Sequence, residues 1–206
     1  MSLRHIPRRV LGAGERLAFP EAHSAQEHWQ RRVLNAAVDD YLSRLDQSSL
    51  SAAEISGDTH ATRPWKQYTS LEHPQFDLCA PVEDGERFDV VFCEQVLEHV
   101  PDPWGATRNL RKLCAPGGRV IVSTPFLIKV HELAMYDMRD YWRFTPRGLR
   151  TLLEGAGLEV EAVDSWGNRQ CVVGNLDRWA AYRPWHSLAD NPDTPVQVWA
   201  FARRGR

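Results

Sequence analysis

The apolar and polar positions of this chain change period several times, and the changes outline its elements. From Ser24 to about Leu45 the residues Trp29, Val33, Leu34, Ala37, Tyr41, Leu42 and Leu45 recur at intervals of three and four, which predicts a helix. Ser24 stands at the cap position, with Glu27 three residues on as its capping-box partner. Short strands follow at 51–58 ("SAAEISGD") and 67–72 ("QYTSLE"), with a stub of extended chain at 76–78 ("FDL"). The clearest strand is "RFDVVFCE" (87–94), almost wholly apolar, as a strand covered on both faces of a parallel sheet should be. Pro103 to Leu113 reads as a helix, "APGG" (115–118) as a hard break, and "RVIVSTPF" (119–126) as the next strand. Thr145 before Pro146 opens a helix to Glu154, which Gly155 and Gly157 end. A strand at 158–166, a helix over 169–182, a loop at 184–195 and a last strand at 196–204 complete the pattern.

Strands alternating with helices predict an α/β fold with a mainly parallel sheet, helices on both faces, and the last two strands paired antiparallel at one edge. Residues 1–22 lack periodicity and form an N-terminal arm or lid; 23–206 form a single domain with an irregular insertion at about 127–145. The 206 residues suffice for one domain with a real core.

Composition narrows the function classes. With a net charge of −2 there is no basic field for nucleic acid, and no apolar run approaches the roughly 20 residues of a membrane span. The basic N-terminus is not followed by the apolar core of a secretion signal. Cys79, Cys93, Cys114 and Cys171 have no CxxC spacing, so they read as free thiols in a reducing cytoplasm rather than as metal ligands, and no metal site is expected. The eight tryptophans, among them Trp179, Trp185 and Trp199, supply core packing, a lid or a homodimer contact.

The strand at 87–94 ends abruptly in Glu94, Gln95, Glu98 and His99. In open α/β sheets ligands bind beyond the carboxyl ends of the strands, so a buried strand with such an ending lines a crevice. The stretch "FDVVFCEQVLEHVPDP…LRKLCAPGGRVIVSTPF", supported by "YWRFTPRGLRTLLEGAGLEVEAV" (141–163), closely resembles the class I S-adenosylmethionine-dependent methyltransferases of the type 11 group, with a Rossmann-like fold. The resemblance covers about residues 50–165 and implies S-adenosylmethionine as cofactor. It places Glu54 at the end of the first strand before the loop of Ser56 and Gly57. It sets Glu72 on the ribose hydroxyls, Asp77 at the adenine amino group with Leu78 beside the ring, and Glu94, Gln95 and His99 around the methionine moiety.

The first motif departs from the family's G-x-G-x-G: "EISGDTHA" holds one glycine. Only nine residues separate Gly57 from Gln67, fewer than the roughly 10–12 of an ordinary parallel crossover. The first crossover is therefore compressed, a feature shared with a branch of bacterial methyltransferase-like proteins that also carries "SWGNR" (165–169). On the acceptor side the resemblance points to 127–144. Methyl transfer from a sulfonium needs alignment, and it needs a base only where the nucleophile carries a proton. His131 is the first candidate for that base and His99 the second, with Asp137 or Asp140 to orient the ring. Tyr136, Asp140, Arg143, Asn168 and Arg169 are the candidate acceptor contacts, Arg143 having Asp140 as an alternative ion-pair partner. The expected function is methyl transfer to an oxygen or nitrogen of a small-molecule acceptor. The alternatives are a non-catalytic scaffold on the same fold, or a nicotinamide-dependent oxidoreductase, which the absence of G-x-G-x-x-G disfavours.

Overall fold

The computed structural model describes residues 27–83, 85–132, 138–176 and 179–206. The proposed arm at 1–22, the Ser24 cap, Tyr136 and Asp137 lie outside these residues. Six strands form one sheet: β1 (Ser51–Ile55), β2 (Gln67–Leu71), β3 (Phe88–Glu94), β4 (Cys114–Pro125), β5 (Leu158–Trp166) and β6 (Gln197–Arg204). Their order is β2-β1-β3-β4-β6-β5. The first four run parallel, while β6 is antiparallel to both β4 and β5. The mainly parallel sheet with an antiparallel pair at one edge is the architecture the pattern predicts.

Helix α1 (Arg32–Ser43), entered through a 3-10 turn at Trp29–Arg31, covers one face with Leu34, Val38 and Leu42. These pack with Val90, Phe92, Ile121, Trp199 and Phe201. Helices α2 (Pro103–Leu113) and α3 (Pro146–Gly155) cover the other face, where Leu110, Leu149 and Leu153 meet Val91, Val120, Val122 and Ala200. Both open as their sequences predict. The side chains of Asp102 and Thr145 accept the third-residue N–H groups of Gly105 and Gly148, and a proline stands at the first helical position. Each large apolar side chain buried between these layers contributes roughly 1.5–3 kcal/mol.

Three expectations change. The stub at 76–78 is not a strand but part of a turn, tied to α2 by Asn109 Nδ2, which donates to the carbonyls of Leu78 and Ala80, both at 2.8 Å. "APGG" does not interrupt the chain between helix and strand. It forms an irregularity inside β4, whose register shifts between Phe88 and Val90, with Gly117 at φ +78° supplying the left-handed conformation. The helix predicted over 169–182 stops early, as α4 (Arg169–Gly174). Beyond it, Ala180 O accepts from Trp29 N and Tyr182 N donates to Glu27 O, each at 2.8 Å, so the backbone there is committed to a bridge with the N-terminal segment.

The compressed crossover has a clear physical basis. Residues 56–66 form turns instead of a helix, folded around the Glu54 carboxylate. That carboxylate accepts from Thr59 N (3.1 Å), His60 N (2.9 Å) and Tyr68 Oη (2.8 Å). The His60 ring stacks on Phe92 with centroids 3.9 Å apart. A single buried acid and a buried ring thus do the packing that a crossover helix would do. Gly57 is required by this arrangement, since a Cβ there would fall 2.7 Å from Glu54 Oε1. The four cysteines are free; Cys93, Cys114 and Cys171 are buried and Cys79 is half-buried. Among the described residues no helix is long and apolar enough to cross a membrane.

Candidate functional site

Neighbouring strands β1 and β3 mark the switch point of the sheet: from β1 the chain passes to β2 on one side, from β3 to β4 on the other. Their carboxyl ends part there and leave a crevice. The backbone carries strain at this place. Ser56 (φ 50°) and Gln95 (φ 57°), each directly after its strand, are the non-glycine residues with positive φ among the described residues. Such a conformation costs of order 1–3 kcal/mol. Both are held by strand-like bonds, Ser56 N to Leu71 O at 3.0 Å and Gln95 N to Ser123 O at 2.8 Å. The Gln95 amide also donates to Ser123 Oγ and Gln197 Oε1, both at 3.0 Å.

Beyond these strand ends lies a hollow of about 720 Å³. Of the residues expected around the cofactor, Ser56, Glu72, Asp77, Leu78, Gln95 and His99 line it, joined by Ile55, Phe76, Val96 and Met138. Glu72 is exposed at the rim, its Oε1 in reach of Ser70 Oγ, which also lies 2.7 Å from Gly57 O. Asp77 Oδ1 accepts from Cys79 N at 2.8 Å, which fixes the turn that presents it. An adenosyl group needs acceptors for ribose hydroxyls and an exocyclic amine, and an apolar slot for a flat ring. The carboxylates of Glu72 and Asp77 with Ile55, Phe76, Leu78 and Val96 fit that demand in kind, and the volume falls within the usual range of small-molecule sites.

Glu54, Gly57 and Glu94 are not brought to the hollow's lining. Glu54 is consumed in the loop described above. Glu94, whose side chain is 5% exposed, pairs with Arg31 and stands 3.5 Å from His60 Nε2. Burial pushes its carboxyl up, but His60 and Arg31 outweigh burial and hold it below the ordinary carboxylate range. Arg31 and His60, from the α1 entry and the β1 loop, were not legible as its partners, because they lie 63 and 34 positions away in the chain.

The acceptor-side residues divide in the same way. His99 lines the hollow, and its Nδ1 lies 2.5 Å from Arg139 O. His131 stands behind it, the two rings edge to face with centroids 4.8 Å apart, and Trp179 meets the His131 ring at 5.2 Å. Burial lowers the His131 pKa, against the opposing pull of the Asp140 carboxylate. Asp140, its side chain fully buried, has Oδ2 3.1 Å from His131 Nδ1 and accepts from His131 N at 2.8 Å. Arg143 pairs with that same carboxylate and donates to Lys129 O, so its guanidinium is engaged within the segment. Burial raises the Asp140 carboxyl, but the bonds from Arg143 and His131 hold it below the ordinary range.

Asn168 and Arg169 are not brought to the hollow either. Asn168 caps α4, accepting from Cys171 N at 2.8 Å while its amide donates to Ser187 O and Ala189 O. Arg169 lines a separate surface hollow with Trp29, Trp185 and His186. Glu98, read from the sequence with its neighbours as crevice-lining, is not in the hollow's lining. Glu98 is fully buried between the strand end and the acceptor segment, and burial pushes its carboxyl up to about 8.

The comparisons agree with this geometry. A family described as "methyltransferase domain" matches residues 21–163. Among curated proteins, the ubiquinone biosynthesis O-methyltransferase of Psychrobacter arcticus is 30% identical over 156 residues, which are 72% of this chain and 57% of the relative. That of Aeromonas salmonicida is 32% identical over 111 residues, 47% of this chain and 43% of the relative. The chain thus spans about half the length of these relatives. Among solved structures, a methyltransferase from Mesorhizobium loti described as S-adenosylmethionine-dependent superposes with a TM-score of 0.52 at 15% identity, covering 82% of this chain and 98% of that one. A 1,6-didemethyltoxoflavin-N1-methyltransferase from Burkholderia thailandensis, solved with its substrate and S-adenosylhomocysteine, gives 0.54 at 15% identity, covering 100% and 94%. The matched span and the six-stranded sheet with its crevice at the switch point lead to one assignment: this chain belongs to the methyltransferase-domain family and has the class I, S-adenosylmethionine-dependent architecture.

Proposed function

We propose that the protein transfers a methyl group from S-adenosylmethionine to an oxygen or nitrogen of a small-molecule acceptor. The observation that carries this reading is the hollow at the switch point, lined by Glu72, Asp77, Gln95 and His99. Glu72 would accept the ribose hydroxyls and Asp77 the adenine amine; the bound sulfonium supplies an already activated methyl group. What remains for the chain is alignment and control of one proton. His99, which lines the hollow, with His131 in ring contact behind it, would take the proton that a protonated nucleophile must lose. The curated relatives, named as O-methyltransferases, support oxygen as the receiving atom.

The test is calorimetry with S-adenosylmethionine and S-adenosylhomocysteine. Binding in the micromolar range, about −8 kcal/mol, is expected. Absence of binding to either, in folded protein, refutes the enzymatic reading and leaves a scaffold; binding of a nicotinamide dinucleotide instead would point to the oxidoreductase.

A further inference from the structure

Glu98 poses a problem that the proposed reaction does not solve. Its side chain is fully buried, and among the described residues neither carboxylate oxygen has a hydrogen-bond partner. Burying a carboxyl without partners is costly, so such a group points to something that satisfies it. Two imidazoles are at hand. One ligand atom from each of Glu98, His99 and His131 lies within 4.8 Å of the other two. His99 Nε2 is 3.7 Å from Glu98 Oε1. Ligands about 2.1 Å from a tetrahedral ion stand about 3.4 Å apart, so the Glu98–His99 pair needs only a small contraction and the widest pair of the three must close by about 1.4 Å on binding.

The surroundings have the form that metal-bound imidazoles require. The Arg139 carbonyl can only accept, so His99 carries its proton on Nδ1 and keeps a lone pair on Nε2, the nitrogen that faces Glu98. Asp140 stands beside the His131 ring, itself fixed by Arg143. Two bonds tie the Glu98–His99 segment to the chain after Asp140: Tyr141 N donates to Glu98 O at 2.7 Å, and the indole Nε1 of Trp142 to Val100 O at 2.8 Å.

We propose that Glu98, His99 and His131 form a binding site for one divalent first-row transition ion, with Asp140 and the Arg139 carbonyl orienting the two imidazoles. Two nitrogens and one carboxylate suit zinc, manganese or cobalt better than calcium or magnesium. His99 also lines the hollow, so an ion held by these three residues would border it, and three protein ligands would leave a coordination position for a ligand bound there. On the methyl-transfer reading, an acceptor hydroxyl bound at that position would lose its proton more readily, and no side chain would have to act as its base. The metal site itself does not depend on that reading. The ligands used here are an adjacent Glu-His pair and a histidine 32 positions on, a spacing with no local signature.

The experiment titrates zinc, cobalt and magnesium into chelator-treated full-length protein, in the absence of S-adenosylmethionine. One zinc ion per chain at micromolar affinity or tighter is expected, with a tetrahedral or five-coordinate absorption spectrum from cobalt and much weaker uptake of magnesium. Glu98→Gln and His131→Ala should each weaken zinc binding at least tenfold, and Asp140→Asn about 10–100-fold as a residue acting through its histidine. Circular dichroism and melting of the metal-free variants establish that they fold, and His186→Ala, in the separate hollow with Trp29 and Trp185, should bind as the parent does. No stoichiometric binding, or binding undiminished in folded Glu98→Gln and His131→Ala, overturns the proposal and leaves a metal-free pair of acid and imidazole. Zinc binding in a protein that ignores S-adenosylmethionine would retain the site while refuting the methyl-transfer reading, so the two can fail separately.

Discussion

Replacing Glu72 by Gln tests the cofactor end of the hollow at one atom. Glutamine keeps the length and one carbonyl acceptor but removes the charge and the second acceptor oxygen. Hydrogen bonds to a charged group are worth about 1.5–3 kcal/mol, against about 1 kcal/mol for a neutral one. Glu72 sits at the exposed rim of the hollow, so water screens it and the lower part of that range applies. The expected loss is about 1.5 kcal/mol, or roughly tenfold in the dissociation constant of S-adenosylmethionine and of S-adenosylhomocysteine alike. Because, among the described residues, the carboxylate's hydrogen-bond partner is the exposed hydroxyl of Ser70, melting temperature should barely move. Ser70→Ala leaves the charge in place but frees its orientation, and should cost a smaller factor. The assay is calorimetry of both ligands against parent and variants, with thermal melts alongside. Affinity within twofold of the parent in a folded Glu72→Gln protein would refute the ribose role, and with it the claim that this hollow is organised around an adenosyl group.

Other expectations concern the shell that holds the site. Arg31→Ala strips the main partner from the buried Glu94 and should destabilise the fold by about 3–5 kcal/mol in urea unfolding. The pH dependence follows from the same carboxyl. Its folded pKa lies below the ordinary value of 4.5, so its contribution is present above about pH 4.5 and disappears as the pH falls through the folded value; Arg31→Ala should flatten that acid limb of the stability curve. Gly57→Ala forces a methyl against the Glu54 carboxylate and should cost about 1–3 kcal/mol, read as a lower melting temperature. Asn168→Ala removes the α4 cap and should cost about 0.5–2 kcal/mol in stability with ligand affinity unchanged. A large affinity loss there would return Asn168 to the acceptor contacts.

What local pattern could decide, it decided correctly. The near-continuous apolar run of β3 and the proline-opened helices α2 and α3 depend on neighbours within a few residues, and their periods and caps carry that information. The gathering of Glu72, Asp77, Gln95 and His99 around one hollow was legible through the family resemblance, with Glu72 and Gln95 directly following β2 and β3, whose carboxyl ends converge, and Asp77 presented by a turn. Tertiary structure decided the rest. A carboxylate at a strand end looks the same in sequence whether it faces a ligand or the protein. Glu54 turned inward because three donors from its own loop and β2 met it, and Glu94 because Arg31 and His60 did. The helix begun at Arg169 ended at Gly174 because a distant segment claimed the backbone of Ala180 and Tyr182. Short-range periodicity specifies which groups a segment offers; the partner each group takes depends on contacts between positions far apart in the chain, and those exist only after the layers have packed.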